Sequence, residues 1–294
     1  MTAPLARVMV CNPESGGWLE PSKFNRWQEL GFLKPPEFQA ARKEHQNLCL
    51  TLAGAGAEVV SWVPSNQAQL SLDVVYVHDA SFMTDKGAIL LCMGKNSRQS
   101  EPAGHETFYA AQGIPILGAV HLPGKVEGGD LVWLDSKTLL AGIGYRTNPA
   151  GVDQLRALLR PLQIEIIPAP LPHGGGPNSC LHLMSLLSML DEKTVLVDLP
   201  WLAVQTVEYL RERGFRLIEI NARERDMLAC NVLSLGTGRL LAFEENRETT
   251  HRLQREGFNV HTVQGRYVGI NGGGGPTCLT RPLLRSIKAR DGDY

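Results

Sequence analysis

Four times along this chain a helical segment runs through glycine directly into a short apolar strand: Ala53-Gly-Ala-Gly-Ala-Glu-Val-Val60, Gln112-Gly-Ile-Pro-Ile116, Arg213-Gly-Phe-Arg-Leu-Ile218 and Glu256-Gly-Phe-Asn-Val260. A glycine there supplies the left-handed residue that ends a helix, so the phrase reads as helix, stop, strand. A phrase that recurs marks a small supersecondary unit, and one such unit cannot bury its own apolar face. Several copies packed side by side can. The recurrence restricts the chain to an α/β architecture assembled from repeats of one small unit.

The apolar pattern fills in those units. Runs of strand character lie at 8–11, 59–63, 74–77, 88–92, 130–134, 138–141, 164–167, 194–197, 216–220, 239–243 and 260–263, separated by Gly, Asp and Asn. Helical spacing covers 37–53, 104–112, 149–159, 202–213 and 247–256. No Pro/Ser-rich linker or block of charge divides the 294 residues, which predicts one domain over 1–294.

Charge narrows the partners. With 29 basic against 30 acidic residues, the chain carries no electrostatic footprint for nucleic acid or a membrane surface. No window approaches the run of about 18 apolar residues that a membrane span needs, and residues 1–10 do not form a secretory signal. Six cysteines stand far apart, at 11, 49, 92, 180, 230 and 278, without a Cys-x-x-Cys pair. That usage predicts a reducing, cytoplasmic compartment, and no metal or organic cofactor is expected. The sequence leaves open whether the chain forms a homo-oligomer.

A longer interval runs beneath the helix and strand pattern. Asp79, Glu127, His182, Asn231 and Cys278 are separated by 48, 55, 49 and 47 residues. One corresponding strand end per repeat, aimed at a common centre, is how a closed propeller-like array builds a site. Cys278 ends the run Asn271-Gly-Gly-Gly-Gly-Pro-Thr-Cys278, whose free backbone suits carrying a thiol to that centre. Glu127 and Asp130 flank two glycines, and His182 sits in the apolar run Ser179-Cys-Leu-His-Leu-Met-Ser185. Cysteine, histidine and carboxylate fit a covalent mechanism: a thiolate attacks an electrophilic carbon while an imidazole moves protons. Three carboxylates near one thiol would repel an anion and welcome a planar cation able to give each carboxylate two parallel N–H bonds, which points to a guanidino compound.

In their order, His78-Asp79-Ala-Ser, Ser97-Arg98-Gln-Ser-Glu101, Val126-Glu127-Gly-Gly-Asp130, Ile143-Gly-Tyr-Arg146-Thr-Asn148, Leu181-His182-Leu183, Ala229-Cys-Asn231 and the segment at Cys278 resemble the guanidino-group-modifying enzymes. That superfamily includes the dimethylarginine dimethylaminohydrolases, arginine deiminases, arginine dihydrolases and amidinotransferases. The resemblance implies a pentein fold, an α/β-propeller of five ββαβ-type units about a pseudo-fivefold axis. It implies that Cys278 attacks the guanidinium carbon to give a thiouronium-type intermediate. His182 would protonate the departing amine and then activate water, with Glu127 orienting it or sharing contact with the guanidinium. Asp79 and Asp130 would bind guanidinium nitrogens, and Arg98 and Arg146 would hold the α-carboxylate of an amino-acid substrate.

Two departures bear on the substrate. Members acting on free arginine commonly carry an aspartate two residues after the histidine, where this chain has Met184; His78 stands where arginine or glutamate is frequent. A thioether accepts no strong N–H bond but can border an N-alkyl group. The resemblance thus implies hydrolysis of N-methylated arginine to citrulline and an alkylamine. An arginine deiminase or dihydrolase, an amidinotransferase, and a catalytically silent pentein binding protein are the alternatives. The sequence does not identify the loop that covers the site; residues 18–36 are a candidate for it.

Overall fold

A computed structural model describes residues 2–65 and 69–286. Its strands fall into five separate three-stranded sheets. The first stretch runs β1 (Leu5–Val10), α1 (Pro21–Phe24), α2 (Trp27–Leu30), α3 (Phe38–Gly54) and β2 (Glu58–Ser61). Next come β3 (Ser81–Thr84), β4 (Gly87–Leu90), α4 (Glu101–Ala111) and β5 (Ile116–Ala119), then β6 (Leu131–Trp133), β7 (Thr138–Ile143), α5 (Pro149–Leu159) and β8 (Glu165–Pro170). β9 (Leu187–Met189), β10 (Thr194–Val197), α6 (Val204–Glu212) and β11 (Arg216–Glu219) form the fourth unit. β12 (Leu233–Gly236), β13 (Arg239–Phe243), α7 (Arg247–Arg255) and β14 (Asn259–Val263) form the fifth, and β15 (Arg281–Arg285) ends the series.

Every sheet has the same internal plan. Its middle strand pairs antiparallel with one neighbour, then crosses through a helix to pair parallel with the other, as in β4 with β3 and β5. The first unit obtains its antiparallel strand from the far end of the chain, because β15 pairs with β1. Local chemistry repeats as well: Asp135 and Asp191 each accept a backbone N–H from the lysine two residues on, at 2.8 Å, turning the β6–β7 and β9–β10 hairpins. The helix exits behave as their glycines predict. Gly56, Gly113, Gly214 and Gly257 have φ between 67° and 94°, while in the third unit Gln163 takes the same left-handed conformation at φ 57°.

Each of the five buried apolar clusters spans two neighbouring units. One buried cluster joins β1 and α3 of the first unit to β12 and β13 of the fifth. Others join the first unit to the second through Met9, Val74, Ala88 and Tyr109, and the second to the third through Ile89, Leu131 and Leu155. Two more join the third to the fourth through Leu140, Leu187 and Val195, and the fourth to the fifth through Leu196, Leu240 and Leu253. The five interfaces close a ring, the propeller arrangement expected above.

One sequence expectation changes. Residues 74–77 were expected as a strand, but Leu72–Val75 is a 3-10 turn, apolar because it plugs the junction between units. The segment 18–36 contains two short helices and folds onto the glycine run: Leu33 N–H donates to Asn271 O and Lys34 N–H to Asn271 Oδ1, both at 2.8 Å. Lys95 Nζ also donates to Leu30 O at 2.7 Å.

The loop before the glycine run is tied to α3 by Glu44, whose buried Oε2 accepts the backbone N–H groups of Tyr267 and Val268, each at 2.8 Å. Glu44→Ala leaves those donors without their acceptor. It is expected to lower unfolding free energy by about 1–3 kcal/mol, measured by urea denaturation with an unchanged slope.

Candidate active site

Each of the five spaced landmarks sits in the loop just ahead of its unit's first strand. Asp79 precedes β3, Glu127 precedes β6, His182 precedes β9, Asn231 precedes β12 and Cys278 precedes β15. Equivalent positions in a ring meet near its axis, which is why residues about fifty apart become neighbours. Cys278 lies in the turn before β15, and its backbone O accepts from His78 N at 3.2 Å.

The centre of the site is a buried ion-pair cluster. His182 Nε2 and Glu127 Oε2 are 2.7 Å apart, and His182 Nδ1 faces Asp79 Oδ1 at 3.8 Å. One ligand atom each from Asp79, Glu127 and His182 lies within 4.8 Å of the other two. The carboxylates are fixed by backbone as well as side chains: Glu127 Oε1 accepts from Lys95 N and Asp79 Oδ1 from Gly129 N, both at 2.9 Å. This contact explains the glycine pair. A Cβ on Gly129 would collide with the His182 ring, and one on Gly128 with His78 O.

Arg98 and Asp130 occupy different roles from those expected. Arg98 is buried, donating Nη1 to Asp79 at 2.6 Å, Nη2 to Tyr76 O at 2.8 Å, and Nε and Nη2 to the two oxygens of Glu101 at 2.8 Å each. It is the counter-ion that holds Asp79 in place and offers no open fork to a carboxylate. Asp130, fully buried, accepts from Thr147 Oγ1 at 2.6 Å and Leu183 N at 2.9 Å, so it ties the loops before β6 and β9 together. Its proton affinity is pushed up to about 6, chiefly by burial. Arg146 joins the cluster at Glu127, Nη1 to Oε2 at 3.1 Å.

Burial raises Glu127, but the His182 hydrogen bond and charge, then Arg146, outweigh it and hold the carboxyl near 2. For Asp79 burial is again opposed and overcome, by His182 and Arg98, and its carboxyl lies well below the usual range. Burial works against a charged His182, yet Cys180, Asp79 and Asp130 together raise it well above its ordinary value. At neutral pH the trio is two carboxylates and an imidazolium.

Cys278 is half-buried and takes an N–H from Asn231 Nδ2 at 3.4 Å. Asn231 Oδ1 in turn accepts from Thr277 N at 3.0 Å. The glycines before it are packed, not loose: a Cβ on Gly272 or Gly274 would strike Tyr76, and one on Gly275 would strike Asn231. Burial first, then Asp79, pushes the thiol up to about 12. Met184 is buried against the apolar cluster between the third and fourth units, and its backbone O faces Asn231 Nδ2 at 3.4 Å.

Sequence reasoning gave no role to Asn231, Glu101, Thr147 or Cys180. Asn231 was marked only by its interval and Glu101 by its place three residues after Arg98; Cys180, whose Sγ is 3.8 Å from His182 Nδ1, by its position two residues before that histidine.

Five ββαβ units around a shared polar centre define a pentein fold. Two solved structures support that class: the DDAH of Pseudomonas aeruginosa complexed with citrulline (TM-score 0.74, 22% identity, 94% of this chain and 98% of that one) and the N-terminal domain of a cyanobacterial arginine dihydrolase bound to substrate (TM-score 0.77, 18% identity, 95% and 98%). A sequence model described as arginine deiminase matches residues 71–206 and 201–285, and the chain belongs to that family. It is also 35% identical over 128 residues to the N(G),N(G)-dimethylarginine dimethylaminohydrolase of Streptomyces coelicolor, a stretch covering 44% of this chain and 46% of that relative. The aligned region thus spans about half of that relative's length.

Removing Arg98 would strand Asp79 and Glu101 as buried charges. Arg98→Ala is expected to cost about 3–5 kcal/mol of stability, and Arg98→Lys to recover only part of it because an ammonium lacks the planar fork. Thermal and urea unfolding of both variants check this.

Proposed function

We propose that the protein hydrolyses a C–N bond at the guanidino carbon of an arginine derivative through a covalent intermediate on Cys278. The observation that carries this reading is the buried trio of Asp79, Glu127 and His182, in which two carboxylates flank an imidazolium beside the loop that holds the thiol. A planar cation entering there finds acceptors on Asp79 and Glu127.

Substrate charge also supplies what the resting thiol lacks. Asp79 helps keep Cys278 protonated, and a guanidinium placed against that carboxylate offsets its field and lowers the thiol toward neutrality. The thiolate then attacks the guanidino carbon. His182 gives its proton to the leaving amine, which departs from the tetrahedral adduct to leave an S-alkylthiouronium. Neutral His182 next takes a proton from water and the hydroxide adds to the same carbon; collapse expels the Cys278 sulfur, which takes the remaining hydroxyl proton to return to the thiol as the ureido product forms. Glu127 holds the ring in orientation and stabilises its charged form throughout. The α-carboxylate falls to Arg146, since among the described residues only its Nη1 has a partner, whereas Arg98 is committed.

Within this chemistry the preferred substrate is N-methylated arginine, yielding citrulline and an alkylamine. Support comes from Met184, which places no carboxylate two residues after His182 to take the N–H bonds of an unsubstituted guanidinium. Plain arginine, yielding ammonia, is the second reading, favoured by the family match.

Four measurements test the proposal. Cys278→Ser is expected to reduce citrulline formation at least ~10³-fold with an unchanged circular dichroism spectrum, in line with losses on removing a nucleophile; residual turnover near the wild-type rate rejects covalent catalysis. A larger kcat/KM for monomethyl- or dimethylarginine than for arginine is expected, and the reverse order assigns the enzyme to the deiminase reading. Citrulline should form without any added amine; strict dependence on an acceptor identifies an amidinotransferase instead. In the unliganded protein, alkylation of Cys278 should climb steadily from pH 7 to pH 10 without a plateau, because burial and then Asp79 push the thiol up to about 12.

A further inference from the structure

A second thiol lies beside the site histidine, and the chemistry above does not use it. Cys180 Sγ lies 3.8 Å from His182 Nδ1, the ring nitrogen that faces Asp79. Its residue is exposed, unlike Cys11 and Cys230, which are buried, and Cys49, Cys92 and Cys278, which are intermediate. Cys180 sits at the end of the loop that follows β8, where Gly174 and Gly176 take left-handed φ values of 56° and 84°. That loop is fastened at its other end by Tyr145 Oη against His173 Nδ1 at 2.7 Å. A Cβ on Gly273 would lie 4.0 Å from Cys180 Cβ, so this thiol also abuts the glycine run leading to Cys278.

We propose that Cys180 is an oxidant-sensitive modification site: hydrogen peroxide oxidises it ahead of Cys278, and the oxidised sulfur disables His182 until a thiol reductant removes it. The residue is exposed while its sulfur turns inward to the His182 imidazolium, the electropositive setting of a reactive cysteine at the edge of solvent. The two thiols are driven in opposite directions. Burial of the sulfur raises Cys180, but His182 and then Arg146 outweigh it and the net displacement is downward, while Cys278 is pushed up.

The chemistry balances with peroxide as the sole co-reactant. The Cys180 thiolate attacks one peroxide oxygen, so an S–O bond forms and the O–O bond breaks. Sulfur loses two electrons to the peroxide, and the departing hydroxide takes the His182 proton to become water. The product is a sulfenic acid against a neutral imidazole, so both the proton and the position that His182 needs for the leaving amine are lost. Attack by an added thiol releases water and forms a mixed disulfide, and a second thiol restores Cys180.

The activity consequence rests on the guanidino hydrolysis proposed above, whereas the order of oxidation does not. Wild type, Cys180→Ser, Cys180→Ala and Cys278→Ser are treated at pH 7 with near-stoichiometric hydrogen peroxide, trapped with dimedone and mapped by peptide mass spectrometry. Turnover of arginine and methylarginine is followed in parallel, each variant normalised to its own untreated rate. Cys180 should be oxidised at least tenfold faster than Cys278, as sulfenate or as a disulfide. Wild-type turnover should fall in step with that modification and return with dithiothreitol, and both Cys180 variants should keep their rates at the same dose. Oxidation of Cys278 first, or equal inactivation of the Cys180 variants, overturns the proposal. Peptide mapping measures the order of oxidation even if no guanidino compound is turned over, so failure of the functional reading is distinguishable from failure of the thiol assignment.

Discussion

The pairing of β15 with β1 is the constraint on which the remaining structure depends. Each unit buries its apolar residues against the next, so an open row of five would leave two faces exposed. Closing the row requires the last strand to complete the first sheet, and it does so in antiparallel register from Leu5 opposite Arg285 to Met9 opposite Arg281. The same closure fixes Cys278. Three residues before β15, the thiol is placed by the strand that completes the ring, and His78, ahead of β3, hydrogen-bonds to the Cys278 backbone. Fold closure and site assembly are one event in this chain.

Gathering five strand-entry loops at one centre also gathers their charges, and much of the local sequence serves to balance them. Asp79 is matched by Arg98, which is itself matched by Glu101; Glu127 is matched by Arg146 and His182. Buried charge without such partners would be costly enough to unfold the site. On the function proposed above, a guanidinium substrate would join this arrangement as one more planar cation. The resting chain already shows the geometry of guanidinium recognition, with Arg98 and Arg146 seated against Asp79 and Glu127.

Much of the fold was legible in the sequence because its signals are local. The helix over 149–159 needed only an asparagine cap, a proline in the first turn and apolar residues at helical spacing, and the structure places α5 at Pro149–Leu159. Helix exits were legible because a left-handed residue favours glycine. The first strands β3, β9, β12 and β15 escaped, since each is three to five residues long and carries polar residues such as Ser81, Ser188, Ser234 and Arg281 that are buried only by neighbouring units. The run 74–77 misled for the complementary reason: its valines are apolar because they fill a junction, and composition does not separate a buried strand from a buried turn.

By itself the sequence determined the repeat, the five helices of the repeating units, and the set of cysteine, histidine and carboxylate residues spaced about fifty apart. Residue type and interval are local properties, and they survive without coordinates. Tertiary structure alone decided which polar groups face one another. It turned Arg98 inward to hold Asp79, used Asp130 to tie two loops, and set Cys180 beside His182. Hydrogen-bond partners depend on directions and distances of a few ångströms across units far apart in the chain, and those quantities exist only once the ring has closed.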